Sequence, residues 1–387
     1  MKPLNRTVLA TPPSGIRKYF DAARHMPDLV SLGVGEPDFV TPWTIREAGI
    51  SATERGKTGY TSNAGLPELR EAISQHTERS YGVAYDPADE ILVTVGVSEG
   101  LDLTLRALLN PGDEVLYAEP CYVSYGPCIA FAGATPVALP THAEHAWVLQ
   151  PEEMERAITP RTKAILVCNP SNPTGAAYTR ADLEAIVAVA VEHDLYIISD
   201  EVYDRLVYEM PHVCIASLPG AWERTVLLNG FSKAYAMTGW RLGFACAPAE
   251  IAAALLLIHQ YVMLCAPHMA QHAAIDALKY ASRDVAEMVA DYDVRRRFLV
   301  GGLNEIGLNC HLPAGAFYAF PSVAQTGLTS EEFAERLLRE AHVAVVPGEV
   351  FGASGNGFVR CSYATGFAKL EEALNRMRRF VEGLRPA

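Results

Sequence analysis

The sequence predicts an α/β fold in which a mostly parallel sheet carries helices on both faces, followed by a smaller α+β domain. Between residues 91 and 228, short continuous apolar runs alternate with stretches of helical periodicity, which is typical of parallel strands buried on both faces. After Pro248 the pattern changes to long helices and then to short strands between helices. At 387 residues the chain also exceeds what one hydrophobic core usually supports, so we expect two domains.

The apolar runs of the first region predict the strands of the main sheet. We expect buried strands at 91–95, 114–118, 135–139, 164–168, 196–199 and 226–228, with helices at 66–77 and 101–109. The second helix ends where Asn110, Pro111 and Gly112 interrupt its periodicity. Another apolar run, 242–247, follows the last strand, so the residues between 228 and 242 are predicted to form a turn between two buried strands.

The last third of the chain predicts a different arrangement. Helical periodicity covers 249–264, 268–280 and 284–305, and the remainder alternates strands at 316–320, 343–346 and 358–362 with helices at 330–341 and 367–384. The helix at 284–305 is long enough to bridge two domains. We therefore predict an N-terminal arm at 1–30, a large domain at 31–284 and a small domain at 285–387.

Composition excludes several classes of function. The formal charge is −13 and no basic run could neutralise the phosphates of a nucleic acid, so we expect small-molecule partners. The longest apolar run, 251–258, is far shorter than the roughly 20 residues that span a bilayer, and the first residues lack a signal-peptide core. We therefore expect a cytoplasmic protein. The 8 cysteines form no C-x-x-C pair and are interpreted as reduced core thiols, so neither disulfides nor a metal site is predicted.

The predicted turn between 228 and 242 carries the strongest chemical signal. Ser232 and Lys233 stand near its start, and Arg241 and Gly243 close it. A lysine between two buried strands is costly unless burial lowers its pKa or an anion holds its charge. Both conditions favour an amine that forms a Schiff base, so Lys233 is the predicted nucleophile. The alternative at this point is a surface loop with an ordinary lysine.

Three more motifs follow predicted strands or lie in them. Open α/β sheets bind ligands in a crevice at the carboxyl ends of their strands, so these motifs could face one common site. In the loop 169–175, two prolines and a glycine fix the backbone and leave Asn172 as a hydrogen-bonding group. Asp200 ends a buried strand and therefore needs a cationic partner. Arg360 is the single charge in the strand at 358–362, which favours a carboxylate site, with a structural ion pair as the alternative.

Two glycine-containing turns permit close approach of the backbone to a ligand. The strand at 91–95 runs through Gly96 into a helix, whose first N–H groups and dipole attract anions, although a simple turn would look the same. Gly33 and Gly35 form a lone G-x-G, which without a third glycine does not make a dinucleotide site.

Taken together, these motifs resemble the class I/II aminotransferases of the fold-type I pyridoxal-phosphate enzymes. The most specific ones occur in the order and approximate spacing of that family: the loop 169–175, the run 200–203, and the stretch 232–243 with Ser232-Lys233 and Gly239-x-Arg241-x-Gly243. The resemblance covers nearly the whole chain and is greatest to a prokaryotic branch that includes aspartate, aromatic and N-acetyl-diaminopimelate aminotransferases. It implies a homodimer that moves an amino group between an α-amino acid and a 2-oxo acid by a ping-pong mechanism.

The resemblance also implies roles around the ring of the cofactor, pyridoxal 5'-phosphate. Lys233 would hold the cofactor as a Schiff base and later shuttle the α-proton of the substrate. Asp200 would keep the pyridine nitrogen protonated, which makes the ring an electron sink. Tyr203 and Asn172 would bind the phenolic oxygen of the ring, and Tyr122 would stack on its face.

The same resemblance assigns the two charged ends of the ligands. The phosphate would be bound by Val97, Ser98, Ser232, Arg241 and, from a second subunit, Tyr60. The α-carboxylate of the substrate would be surrounded by Gly35, Asn172 and Arg360. Some relatives have a serine where this chain has Gly230, so one phosphate hydroxyl is expected to be missing. No second substrate-binding arginine is assigned, and Arg17 and Arg24 of the arm are the candidates.

Two alternatives to an aminotransferase stay open. A C–S or carbon–carbon lyase on the same fold would share Lys233, Asp200 and Tyr203. The ligand-sensing domain of a transcription regulator would need an attached DNA-binding module, and the N-terminal segment is too short and insufficiently basic to supply one.

Overall fold

The computed structural model describes residues 2–16, 26 and 28–384. In chain order its strands are β1 (Val30–Ser31), β2 (Ile91–Thr94), β3 (Glu114–Glu119), β4 (Thr135–Pro140), β5 (Thr162–Cys168), β6 (Tyr196–Asp200), β7 (Thr225–Gly230), β8 (Gly243–Cys246), β9 (Tyr318–Ala319), β10 (Val343–Ala344), β11 (Val346–Pro347) and β12 (Val359–Ser362). Its α-helices are α1 (Arg6–Ala10), α2 (Trp43–Glu54), α3 (Pro67–Tyr81), α4 (Val97–Leu108), α5 (Tyr125–Phe131), α6 (Pro151–Ala157), α7 (Arg180–Glu192), α8 (Ala249–Val262), α9 (His268–Tyr280), α10 (Ser282–Glu305), α11 (Ser330–Ala341) and α12 (Phe367–Leu384).

The central sheet has seven strands in the order β2-β8-β7-β6-β5-β3-β4. Every neighbouring pair from β7 to β4 is parallel, whereas β8 runs antiparallel to both β7 and β2. The predicted α/β fold with a mostly parallel sheet is thus confirmed. Because β2, β5, β6 and β7 run in the same direction, their carboxyl ends share one edge of the sheet, where ligands bind in open α/β folds.

Most strand predictions hold to within a few residues, but the predicted burial of 135–139 is wrong. The strand β4 lies at the edge of the sheet, and Leu139 is its one buried residue. An edge strand has a neighbour on one side only, so its apolar composition does not ensure burial. The strands β5, β6 and β7 in the middle of the sheet are almost wholly buried, as expected.

The carboxyl-terminal part of the chain packs around a core of its own. The strands β11, β12 and β9 form an antiparallel sheet, and β1 pairs in parallel with β10. The single strand predicted at 343–346 is therefore two short strands in two different sheets. The long helix α10 supplies Tyr292, Leu299 and Leu303 to this core. The domain boundaries after residues 30 and 284 stay a prediction.

The described part of the N-terminal arm reaches the carboxyl edge of the central sheet. Ile16 packs against an aromatic cluster that contains Trp147 and Phe320, and a Cβ on Gly15 would lie 2.9 Å from Val350. Residues 17–25 and 27 of the predicted arm, which include Arg17 and Arg24, lie outside the described residues. No helix in the described ranges is long and apolar enough to cross a membrane. All eight cysteines are unpaired, and five of them are buried.

Candidate active site

A cleft of about 1140 Å³ opens at the carboxyl edge of the central sheet. The arm, the central sheet and the smaller antiparallel sheet all contribute to its walls. Eleven of the twelve predicted site residues line it: Gly35, Val97, Ser98, Tyr122, Asn172, Asp200, Tyr203, Ser232, Lys233, Arg241 and Arg360. The twelfth, Tyr60, lies elsewhere.

Lys233 occupies the turn that connects β7 to β8, at the floor of the cleft. Its Nζ atom donates a hydrogen bond of 2.7 Å to the carbonyl oxygen of Gly35. Burial, assisted by the positive charge of Arg360, lowers the pKa of Lys233 to about 8. A substantial minority of this amine is therefore neutral near physiological pH, and the neutral form is the one that attacks a carbonyl group.

Asp200 stands at the carboxyl end of β6 and is 7% exposed. The hydroxyl of Tyr125 donates a 2.7 Å hydrogen bond to its Oδ2 atom, and the N–H of Val202 donates one of 3.3 Å to Oδ1. Burial raises the pKa of this carboxyl group, although the hydrogen bonds from Tyr125 and Val202 oppose the rise. A cationic ligand group beside Asp200 would reverse that shift and stabilise the carboxylate.

One end of the cleft has the features of a phosphate site. The helix α4 begins at Val97 without a side-chain cap, and Gly96 before it has a φ of 76°. The guanidinium of Arg241 packs on this turn, since a Cβ on Gly96 would lie 2.6 Å from Nη2 of Arg241. Arg241 Nη1 donates to the carbonyl oxygen of Thr238 at 2.9 Å. Backbone N–H groups, a helix dipole and a guanidinium here converge, which suits a dianion.

A steric constraint that the sequence did not reveal explains why position 230 is a glycine. Gly230 pairs with Gly243 across β7 and β8, and a Cβ on Gly230 would lie 2.9 Å from the Cα of Gly243. A Cβ on Gly243 would in turn lie 2.8 Å from the backbone nitrogen of Val97. A serine at position 230 would therefore disturb the close approach of β7, β8 and the first turn of α4.

The opposite end of the cleft contains a buried guanidinium. Arg360 in β12 is 2% exposed, and it donates to Asn172 Oδ1 at 2.9 Å and to the carbonyl oxygen of Gly33 at 2.7 Å. Its Nε atom has no hydrogen-bond partner among the described residues, and burial lowers its pKa. Its hydrogen bonds to the described part of the chain reach neutral acceptors only. A buried cation in this state calls for an anionic ligand.

Two tyrosines of the site were missed at the level of sequence. Tyr125 supports Asp200, and Tyr318 lies within hydrogen-bond distance of Tyr203, with 2.9 Å between the two hydroxyl oxygens. Each occurs in an apolar or aromatic run, where a tyrosine looks like part of the core. The predicted ring-stacking residue, Tyr122, is half-buried and meets Tyr125 edge to face, with ring centroids 5.7 Å apart.

Tyr60 is 83% exposed and does not line the cleft. Its loop is held against the region after α8, because Asn63 Nδ2 donates to the carbonyl oxygen of Leu264 at 2.6 Å. Neighbouring apolar side chains are also exposed, among them Tyr261, Val262, Met263 and Leu264. The contribution of Tyr60 to a second subunit stays a prediction.

Comparison with known proteins agrees with this geometry. The family model described as "Aminotransferase class I and II" matches residues 27–377. The putative aminotransferase YugH of Bacillus subtilis is 53% identical over 95% of this chain and 96% of its own length. The aspartate aminotransferase of Pyrococcus abyssi is 48% identical, again over 95% of this chain and 96% of its own length.

Solved structures lead to the same family. The aspartate aminotransferase of Thermus thermophilus with maleate is similar with a TM-score of 0.94 and 42% identity, covering 98% of this chain and 100% of that one. The aromatic aminotransferase of Pyrococcus horikoshii has a TM-score of 0.91 and 45% identity, covering 94% and 99%. The lyase alternative gains no support from these comparisons. The chain therefore belongs to the class I and II aminotransferases, a family of pyridoxal-phosphate-dependent transaminases.

Proposed function

We propose that this transaminase binds pyridoxal 5'-phosphate in the cleft and exchanges an amino group between an α-amino acid and a 2-oxo acid. One observation carries the proposal: Lys233, an amine of lowered pKa, shares the cleft with two buried charges, Asp200 and Arg360, whose hydrogen bonds within the described part of the chain are to neutral groups. A cofactor with a cationic ring nitrogen and a substrate with a carboxylate would satisfy both charges.

The residues present fit the cofactor at each of its polar groups. The uncapped start of α4, with Ser98, Ser232 and Arg241, would hold the phosphate. Asp200 would face the pyridine nitrogen, and Asn172 and Tyr203 would bind the phenolic oxygen. When bound, pyridoxal phosphate supplies an aldehyde that takes up the amino group and a ring that accepts an electron pair.

The chain itself would bind, orient and move protons. Lys233 as a neutral amine would hold the cofactor and then carry the α-proton of the substrate. Arg360 would bind the α-carboxylate through its guanidinium, whose Nε has no hydrogen-bond partner among the described residues. Gly35 lies beside this site, and a side chain there would crowd it, because a Cβ would lie 2.7 Å from the hydroxyl of Tyr318. The arm residues from Thr11 to Ile16 line the cleft and would exclude water from its mouth.

The homodimer belongs to the same proposal. Tyr60, Tyr261 and Val262 are between 55% and 83% exposed, which is unusual for adjacent large apolar side chains and typical of an interface. Tyr60 would reach the phosphate of the neighbouring subunit. Mixing Lys233→Ala chains with Tyr60→Phe chains tests this, because heterodimers should regain one site with parental cofactor affinity. A cytoplasmic location stays a prediction from the sequence.

The central test is an absorbance scan of the holoenzyme with a panel of amino donors. We expect the bound cofactor to convert to its amine form with some donors and to return when a 2-oxo acid is added. Release of pyruvate and ammonia from cystathionine or a cysteine conjugate, without any dependence on an oxo acid, would favour a lyase instead.

A further inference from the structure

Tyr318 contacts both Tyr203 and Arg360 in the cleft. It lies in β9, is 1% exposed, and its hydroxyl is 2.9 Å from that of Tyr203, which follows β6 of the central sheet. The guanidinium of Arg360 lies over the Tyr318 ring at 4.5 Å from the ring centroid. The same hydroxyl closes the space above Gly35, whose carbonyl oxygen accepts the Lys233 hydrogen bond.

Arg360 is thus connected by two routes to the side chains proposed for the phenolic oxygen of the cofactor. The first route is direct, through the 2.9 Å hydrogen bond to Asn172. The second passes through the Tyr318 ring and its hydroxyl to Tyr203. The side chains of these two routes are all buried, so water does not screen their interactions. They are Asn172, Tyr203, Tyr318 and Arg360.

We propose that Tyr318 is a positioning residue which orients the Tyr203 hydroxyl toward the cofactor and couples it to the occupancy of the carboxylate site at Arg360. This inference rests on the proposed function. If Tyr203 donates its proton to the phenolic oxygen, it can only accept from Tyr318, so the hydrogen bonds run from Tyr318 to Tyr203 to the ligand. A donor that itself accepts a hydrogen bond donates more strongly.

Arg360 sets the strength of this chain of hydrogen bonds. Burial raises the pKa of the Tyr318 hydroxyl, and the positive charge of Arg360 opposes that rise and makes Tyr318 a better donor. A substrate carboxylate bound to Arg360 would neutralise this charge and weaken the donation. The phenolic oxygen would then hold a proton more tightly when the carboxylate site is full than when it is empty.

The test is an absorbance titration of the holoenzyme against pH, with and without propionate, a monocarboxylate with no amino or oxo group. In Tyr318→Phe the ring under Arg360 remains and only the hydroxyl is lost. We expect the spectral midpoint of the free variant to rise by roughly 0.5 to 1 pH unit, the size of one hydrogen bond. We also expect propionate to shift that midpoint by less than half of the shift in the parent enzyme.

Tyr363→Phe is the matched control. Tyr363 is fully buried, and its hydroxyl donates to the carbonyl oxygen of Ala316 at 3.1 Å, away from the cleft. The control should lose similar thermal stability but keep the parental midpoint and propionate shift. Tyr318→Phe should also lower kcat by roughly threefold to tenfold while KM for the amino donor changes by less than about threefold, because Arg360 keeps its stacking partner.

The double variant Tyr203→Phe with Tyr318→Phe completes the test. Once Tyr203 has lost its hydroxyl, removing that of Tyr318 should shift the midpoint no further. A Tyr318→Phe enzyme with the parental midpoint and propionate shift, equal shifts in the Tyr363→Phe control, or additive shifts in the double variant would each overturn the role of Tyr318. A parent enzyme that binds no pyridoxal phosphate or exchanges no amino group would instead overturn the proposed function.

Discussion

The two ends of the cleft are built by different means. At the phosphate end, backbone segments approach each other closely because Gly96, Gly230 and Gly243 carry no side chain. At the reactive end, the charges of Asp200 and Arg360 are buried and surrounded by neutral hydrogen-bonding groups. The phosphate end thus depends on the close approach of backbone segments around Arg241, and the reactive end depends on single buried side chains. Deleting a charge at the reactive end should therefore mainly lower turnover, and adding a side chain at the phosphate end should mainly weaken cofactor binding.

Lys233→Ala should cause the largest loss and separate the two ends most clearly. We expect kcat to fall by about 10⁴-fold or more, because the nucleophile and the proton carrier are one group. The phosphate end does not use this amine, so the apoenzyme should retain much of its affinity for inorganic phosphate. Steady-state kinetics and calorimetric phosphate titration measure the two effects. Activity within tenfold of the parent would contradict the assignment.

Asp200→Asn should lower kcat by roughly 10³-fold, an effect of about 4 kcal/mol. The amide cannot keep a pyridine nitrogen protonated, and its single oxygen can accept only one of the two hydrogen bonds that Tyr125 and Val202 donate to different carboxylate oxygens. Tyr125→Phe is the control, since it removes one neutral donor and leaves the charge, and it should cost less than about tenfold. Unchanged kcat in the asparagine variant would make Asp200 a structural residue.

Arg360→Ala should reduce kcat/KM by roughly 30-fold to several thousand-fold, the range for a buried charge pair worth about 2 to 5 kcal/mol. The loss should be similar for all amino acid donors and small for an amine without a carboxylate. Arg360→Lys should recover only part of the activity, because it restores the charge but not the fork. A loss restricted to dicarboxylic donors would place Arg360 in the side-chain pocket, and simple unfolding would return it to a structural role.

Gly230→Ser tests the phosphate end by adding the hydroxyl that some relatives have. The new Cβ would press on Gly243, so we expect about 1 to 3 kcal/mol of strain and roughly fivefold to a hundredfold weaker binding of pyridoxal phosphate. Gly239→Ala is the control from the turn that follows β7, because a Cβ there meets nothing within 4 Å. Tighter cofactor binding in the serine variant would show that the missing hydroxyl, and not the close approach, decides affinity.

The smallest expected effect is a shift in the pH dependence of covalent cofactor uptake by Lys233. Because the pKa of Lys233 is lowered to about 8, its neutral form dominates above that pH and falls tenfold per unit below it. The rate of covalent cofactor uptake by the apoenzyme should therefore rise with pH and level off above about 8. Arg360→Gln should move the midpoint upward, since the guanidinium helps to lower the pKa. Uptake that still rises steeply above pH 9 would contradict this.

The contrast between the two ends also explains what the sequence could predict. Lys233, Asp200 and Arg360 are charges within or beside apolar runs, which is a signal that needs no knowledge of pairing. Tyr125 and Tyr318 carry no charge and occur in apolar and aromatic runs, so only their contacts distinguish them from core residues. Their roles depend on which side chains the fold brings opposite them.

Strand neighbours were the other limit of sequence-based prediction. The steric role of Gly230 depends on its pairing with Gly243, and the exposure of β4 depends on its place at the sheet edge. Likewise, the apolar run 343–346 contains strands of two different sheets, β10 and β11. Apolar periodicity indicates that a segment is a strand, whereas the identity of its neighbours follows from tertiary packing.

Borohydride reduction identifies the amine that binds the cofactor covalently, which we propose to be Lys233. The holoenzyme is reduced, digested and analysed by mass spectrometry to locate the pyridoxyl group. We predict one modified site, Lys233, and none after reduction in the Lys233→Ala variant. A pyridoxyl group on any other lysine of the parent enzyme, or reduction that leaves Lys233 unmodified, would contradict the proposed chemistry of the cleft.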